Sequence, residues 1–244
     1  MKFYRSLFGC LLIVGCASSV KDDFKNRTAD SIYKKADSLL RAGEYTEAAS
    51  EFKDIEALFP YSSKANEAQI LAAYCHFLAS NYLDATREIE VFLRYHPSHE
   101  LVPYAMYLKA MCIYMQVSSV GRDSKIAIDA KYAFAELVNK FPNSQYRRDS
   151  EKRITILEDI IAAHEMMVGR YYQKNKSALS AIGRYAFIVA QTPHNAHAPE
   201  AIYRIVECCR FLGLDEEAKN NYHVLELRHP NSHWTQKAKL FMKK

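Results

Sequence analysis

Five prolines, Pro60, Pro97, Pro142, Pro193 and Pro230, each close an apolar periodic segment, in "LFPYS", "YHPSH", "KFPNS", "QTPHN" and "RHPNS". Twelve positions before each proline stands an alanine: Ala48, Ala85, Ala130, Ala181 and Ala218. Eight positions before lie Phe52, Ile89, Phe134, Tyr185 and Tyr222, and five before lie Ile55, Phe92, Leu137, Ile188 and Leu225. One small site followed by two bulky sites, four and then three residues on, defines a single face of a helix. The alanine admits a neighbouring helix at close range and the bulky residues fill the space beside it. Proline ends each unit because the residue before it avoids the helical region.

A second helix precedes this one in each unit. It reads "SIYKKADSLLRA" before Gly43 in the first repeat and "AIYRIVECCRFL" before Gly213 in the fifth. Both glycines stand seventeen residues before their proline, where a helix terminus favours a left-handed residue. The prolines are separated by 37, 45, 51 and 37 residues, somewhat more than the usual tetratricopeptide period of about 34. The chain is therefore expected to be all-α, a superhelical solenoid of five tetratricopeptide-like helix hairpins with a basic helical tail from about Trp234. Stacked hairpins present an extended concave face suited to binding other chains.

The two long separations mark inserted elements. Before Pro142 the extra residues are the polar connection "QVSSVGRDSK", 116–125, readable as a partner-facing loop or as a plain surface loop. Before Pro193 the extra length lies in a segment with Ile154, Leu157, Ile161, Val168 and Tyr172 at near-helical spacing. One helix of about 30 residues, roughly 45 Å long, would bridge repeats one to three (31–142) and repeats four and five (143–230). Residues 231–244 form the tail.

At the amino terminus, Lys2 and Arg5 precede an apolar block from Leu7 to Val14, broken by Gly9 and Cys10 and ending at Gly15. This is the layout of a secretory signal; a spanning helix needs roughly 20 apolar residues. Ile13-Val14-Gly15-Cys16 resembles the bacterial lipoprotein processing box, which implies removal of residues 1–15 and lipidation of Cys16. An ordinary cleaved signal with an accidental cysteine is the alternative. Ala17 rather than an aspartate follows Cys16, and by the same resemblance this implies the outer membrane. Several acyl chains anchor stably, so residues 16–30 are expected to tether a soluble body to a membrane surface.

The net charge of +5 includes Lys2 and Arg5, and the remainder is too mild and too dispersed for nucleic acid. Of six cysteines, Cys75, Cys112, Cys208 and Cys209 remain in the body. Cys75 and Cys208 share one offset in separate repeats and Cys208 and Cys209 diverge on a helix, so buried thiols are expected rather than disulfides. "HEMMV" at 164–168 opens like a zinc-protease helix, but its second histidine position holds Val168. His96 with His99 and His194 with His197 flank repeat-ending prolines and read as exposed loops. There is no G-x-S-x-G elbow and no glycine-rich phosphate loop. No catalytic residue, metal or cofactor is expected.

Three stretches carry a family resemblance. "YKKADSLLRAGEYTEAASEFKDIEALFPYS" has the pattern Y-x-x-A, G-x-Y-x-x-A and F-P-x-S, and "YAMYLKAM" (104–111) is similar to a third-repeat Y-A-x-Y-x-x-G. The most specific block, 141–185, matches through Tyr146, Asp149, Arg153, Leu157, Glu165, Val168, Tyr171, Tyr172 and Arg184. These residues resemble the BamD family, tetratricopeptide lipoproteins of the machine that assembles β-barrel proteins in the bacterial outer membrane. Ser150, Gly169 and Ala110 depart from its pattern, in which Ala, Ala and Gly are usual, and the inserted loop is shorter than in some relatives.

The resemblance implies a non-enzymatic outer-membrane assembly factor on the periplasmic face. Its carboxy-terminal repeats would hold a POTRA domain of a BamA-like barrel protein and other small lipoproteins of the complex. Its amino-terminal repeats would receive carboxy-terminal segments of unfolded outer-membrane proteins. Arg153, with Asp149, Arg122 and Asp123, are the implied partner-binding residues, although Asp149 and Arg153 at i, i+4 also suit an ordinary surface ion pair. Tyr33, Phe59 and Tyr74 are the candidates for a substrate groove, although aromatics at such spacing more often serve the buried faces of helical units. A tetratricopeptide lipoprotein scaffolding cell-wall or division proteins is the alternative function.

Overall fold

The computed structural model describes residues 27–117 and 124–243. Its eleven helices, counted among those residues, run α1 (Ala29–Ala42), α2 (Tyr45–Leu58), α3 (Ala65–Leu78), α4 (Tyr82–Tyr95), α5 (Val102–Tyr114), α6 (Lys125–Lys140), α7 (Arg147–Lys174), α8 (Ala178–Gln191), α9 (Ala198–Phe211), α10 (Asp215–Arg228) and α11 (His233–Met242). No strand occurs among the described residues. Each helix packs on the next in chain order, so five antiparallel hairpins stack as a solenoid and α11 closes its end against α9 and α10. No described helix is long and apolar enough to cross a membrane.

The repeat signature is the packing code. All five signature alanines are fully buried, as are Phe52, Ile89, Phe134 and Tyr185. Burying an aromatic or branched side chain of this kind contributes about 2 kcal/mol. Tyr222 is only half-buried, because the last hairpin has α11 rather than another hairpin to cover it. Every second helix stops one residue short of the position before its proline, and that cap residue returns its N–H to the carbonyl four back, as Phe59 does to Ile55.

The turn inside each hairpin shows what the glycines only hinted at. Gly43 and Gly213 have φ of 83° and 74°, and Gly43 donates to the Leu39 and Leu40 carbonyls. Ser80 and Lys176 stand at the same seventeen-residue offset, before Pro97 and Pro193, with φ of 61° and 59°. Four hairpins thus share one left-handed position, which two of them fill without glycine. The third hairpin, whose connection is longer, has the helical Lys125 at that offset.

The long element of the fourth repeat is one helix of 28 residues, α7. Its Leu157 and Ile161 pack into the apolar cluster of α5 and α6, whereas its Ala162 and Met166 pack into that of α8 and α9. The four body cysteines are buried free thiols. Burial pushes Cys75, Cys112 and Cys208 up to about 11, which keeps them protonated. The departures from the family pattern are accommodated individually. Ser150 is buried but returns its Oγ to the Tyr146 carbonyl at 2.8 Å, and Ala110 packs beside Ala130 and Phe134.

Candidate functional site

Asp149 and Arg153 lie one turn apart on α7, so their side chains meet. Arg153 Nε donates to Asp149 Oδ2 at 2.5 Å, and Tyr107 Oη of α5 donates to the same oxygen at 2.6 Å. The guanidinium also stands 4.8 Å from the centre of the Tyr114 ring, two turns along α5. The Tyr107 ring stacks on Tyr146 at 4.9 Å and 21°, and both Tyr107 and Tyr114 lie 6.1 Å from Phe134 of α6. The pair is therefore built into the junction of three helices, beyond what a bare surface ion pair requires.

Its electrostatics follow from that packing. Burial works against the charged Asp149, but the hydrogen bonds from Tyr107 and Arg153 outweigh it and hold the carboxyl below its ordinary range. Burial likewise opposes the Arg153 charge and is outweighed by Asp149, so the guanidinium is held firmly protonated. Burial and the bond to Asp149 push the Tyr107 phenol up. The side chain of Asp149 remains 46% exposed and that of Arg153 22%, leaving a charged edge accessible at the surface.

Tyr107, Tyr114 and Tyr146 escaped the sequence reading as members of this junction. The seven-residue spacing of Tyr107 and Tyr114 was the available signal, since it puts both rings on one face of α5. Arg122, Asp123 and Cys16 lie outside the described residues.

The nominated groove aromatics do not form one constellation. Tyr33 packs edge-on against Phe52 at 5.5 Å and donates to Glu67 Oε1 at 3.0 Å, and Lys64 Nζ sits 4.7 Å from its ring centre. Burial and Glu67 push its phenol up to about 12. Phe59 joins the same first-repeat cluster, whereas Tyr74 belongs to the next cluster and stacks on Phe77 at 6.4 Å. All three are half-buried, with one side on a core and the other open.

The remaining residues of the 141–185 block organise the last two repeats. Buried Glu165 accepts from Arg184 at 3.2 Å, tying α7 to α8. Further along, Arg170 donates to Glu200 at 2.7 Å, Gln173 donates to Glu207 at 3.2 Å, and Tyr185 donates to Gln173 at 2.9 Å. Arg204 bridges Glu200 and Glu207. The result is a charged network across α7 and α9. His96 and His99 pack their rings against Phe92, at 5.3 and 5.5 Å, in the turn after α4.

Residues 25–224 match the YfiO family, described as outer membrane lipoprotein. The outer membrane protein assembly factor BamD of Rickettsia prowazekii is 35% identical over 224 residues, covering 92% of this chain and 89% of that protein. BamD of Caulobacter vibrioides is 32% identical over 225 residues, covering 91% and 74%. BamD of Neisseria meningitidis serogroup A is 30% identical over 215 residues, covering 84% and 80%. The family match runs from ahead of α1 into α10, and on it this chain belongs to the BamD (YfiO) family of outer membrane lipoproteins.

Proposed function

We propose that this protein is an outer membrane protein assembly factor, a non-enzymatic scaffold anchored through Cys16 on the periplasmic face. It holds a POTRA-bearing barrel protein and small lipoproteins of the same machine, and it receives carboxy-terminal segments of unfolded barrels. The observation that carries this reading is the identity of about a third, across nine-tenths of the chain, to proteins named as outer membrane assembly factors. The fold supports it: a solenoid offers extended surface for other chains, and an extended peptide can lay alternate side chains between its helices.

The Arg153 junction supports the partner-binding half of the reading. Asp149 engages the Nε of a planar fork with five donors, and a carboxylate of the partner would pair with the exposed remainder. Tyr114 and Tyr107 hold the fork in place beforehand, which lowers the ordering cost of binding. The scaffold acts through differential binding, with no covalent step.

The test is purification of the tagged, lipidated protein in mild detergent beside an Arg153→Leu variant, with partners identified by mass spectrometry. Recovery of a POTRA-bearing barrel protein, diminished in the variant, supports the assembly role and the coupling arginine. Recovery of cell-wall enzymes or division proteins in its place would transfer the function to the alternative scaffold.

A further inference from the structure

The chain enters its solenoid at one particular edge. Arg27, where the described structure begins, is pinned to α2 by ion pairs to Glu51 and Asp54, both at 3.0 Å. Because the first hairpins are antiparallel, the turns that follow α2 and α4 lie on the edge where α1 begins, and the turns within those two hairpins lie on the opposite edge. Two contacts fix the first inter-repeat turn beside the start of α1. Lys64 Nζ reaches Asp30 Oδ1 at 2.5 Å, and Tyr33 Oη reaches Glu67 at 3.0 Å. α4 is tied to α2 by Lys53 Nζ, 2.6 Å from Glu88 Oε1, and the end of α4 lies on the same edge as the end of α2.

Three large side chains project from these helix ends into solvent. Leu58 is 50% exposed, Tyr95 71% and Tyr61 101%. None of the three belongs to an apolar core cluster among the described residues. Tyrosine, with an apolar ring and a polar tip, suits the boundary between headgroups and acyl chains.

We propose that this edge of the first two repeats rests on a phospholipid surface, with Leu58, Tyr61 and Tyr95 at headgroup level. The inference rests on the reading of Cys16 as lipidated. Eleven residue steps separate Cys16 from Arg27, a reach of at most about 40 Å even when fully extended. The opposite edge, one fourteen-residue helix away, lies about 21 Å farther from the pinned residue. It exposes Leu83, and Leu179 and Phe211 are exposed farther out, beside the far end of the 28-residue α7, so the edges compete directly and the tether favours the near one.

Site-specific quenching separates them. The full chain, purified from membranes, would carry an environment-sensitive fluorophore on Tyr61→Cys or on Leu179→Cys; the four native body thiols are buried. Each labelled protein is reconstituted into phosphatidylglycerol–phosphatidylethanolamine vesicles whose lipids carry a quencher high on the acyl chain. The expected result is at least a twofold loss of emission at position 61 and no change at 179. If the protein floats with the vesicles but position 61 is quenched no more than 179, the inference falls and the anchor reading stands. If the protein fails to float, the anchor reading fails and takes the inference with it.

Discussion

The Tyr185 ring lies so close to Gly169 that a β-carbon on the glycine would meet Tyr185 Cε1 at 2.4 Å. Alanine is usual at this place in the family pattern, and the structure shows what the glycine permits: a fully buried tyrosine seated against the backbone of α7. Gly169→Ala gains about 1 kcal/mol of helix propensity but overpacks a rigid ring, at a cost of about 2 kcal/mol. A net loss of stability is expected in urea unfolding. Combining it with Tyr185→Leu should make the alanine far better tolerated than in the wild-type background; an alanine that stabilises the otherwise unaltered chain would contradict the packing.

Lys176 occupies the left-handed turn position at φ of 59°. A non-glycine residue there costs about 1 kcal/mol, part of which glycine returns through the greater freedom of its unfolded state. Lys176→Gly is expected to raise the urea midpoint by a few tenths molar. The same change at Lys152, exposed in the interior of α7, should lower it.

Asp149 has its carboxyl held below the ordinary range, so its sign is that of a depressed acid. Its contribution is complete above the unfolded value of about 3.9 and is lost as pH falls through the lower folded value. The stability difference between wild type and Asp149→Asn should be constant above about pH 5 and close below pH 4. Because half of the side chain meets solvent, the difference will be small. Arg153→Lys keeps the charge but loses the guanidinium's place over the Tyr114 ring, so it should recover only part of the partner retention lost in Arg153→Leu.

His229 stands immediately before Pro230, where the first and third repeats have Phe59 and Phe141. Its Nε2 is buried without a hydrogen-bond partner among the described residues. Burial, then Arg228 and His194, push its pKa down. The unfolded chain therefore takes up a proton before the folded one, and stability declines as pH falls below about 6.5. His229→Phe should stabilise the protein, and by more at pH 5.5 than at pH 8. An equal gain at both values would mean that the imidazole does not titrate against the fold.

The repeat architecture was legible because it depends on local and recurrent chemistry. Ala48 and its four counterparts, with bulky residues four and seven positions later, report a helix face whatever the distant environment. The turn position was half legible: Gly43 and Gly213 announce a left-handed residue, while Ser80 and Lys176 adopt it under the force of the surrounding hairpin. The Arg153 junction was legible only along α7. Tyr107 is 42 positions from Asp149, and no periodicity within one helix reveals a partner supplied by another. The groove aromatics show the same limit, since Tyr33 and Tyr74, 27 and 23 residues before their prolines, both sit on the first helix of a repeat yet serve different clusters.

One helix gives the solenoid a mechanical property that its other members lack. Adjacent residues of α7 belong to different cores, Ile161 to one and Ala162 to the next, so the helix is clamped on both sides of a midpoint. Such an element behaves as a stiff lever. From Arg153 to Lys174 it runs about 32 Å, and a tilt of about 5° at the arginine displaces the far end by roughly 3 Å at that rise per residue. A partner pulling on Arg153 would thereby shift Gln173 against Glu207 and Arg170 against Glu200, turning a contact in one repeat into a change of register in the next.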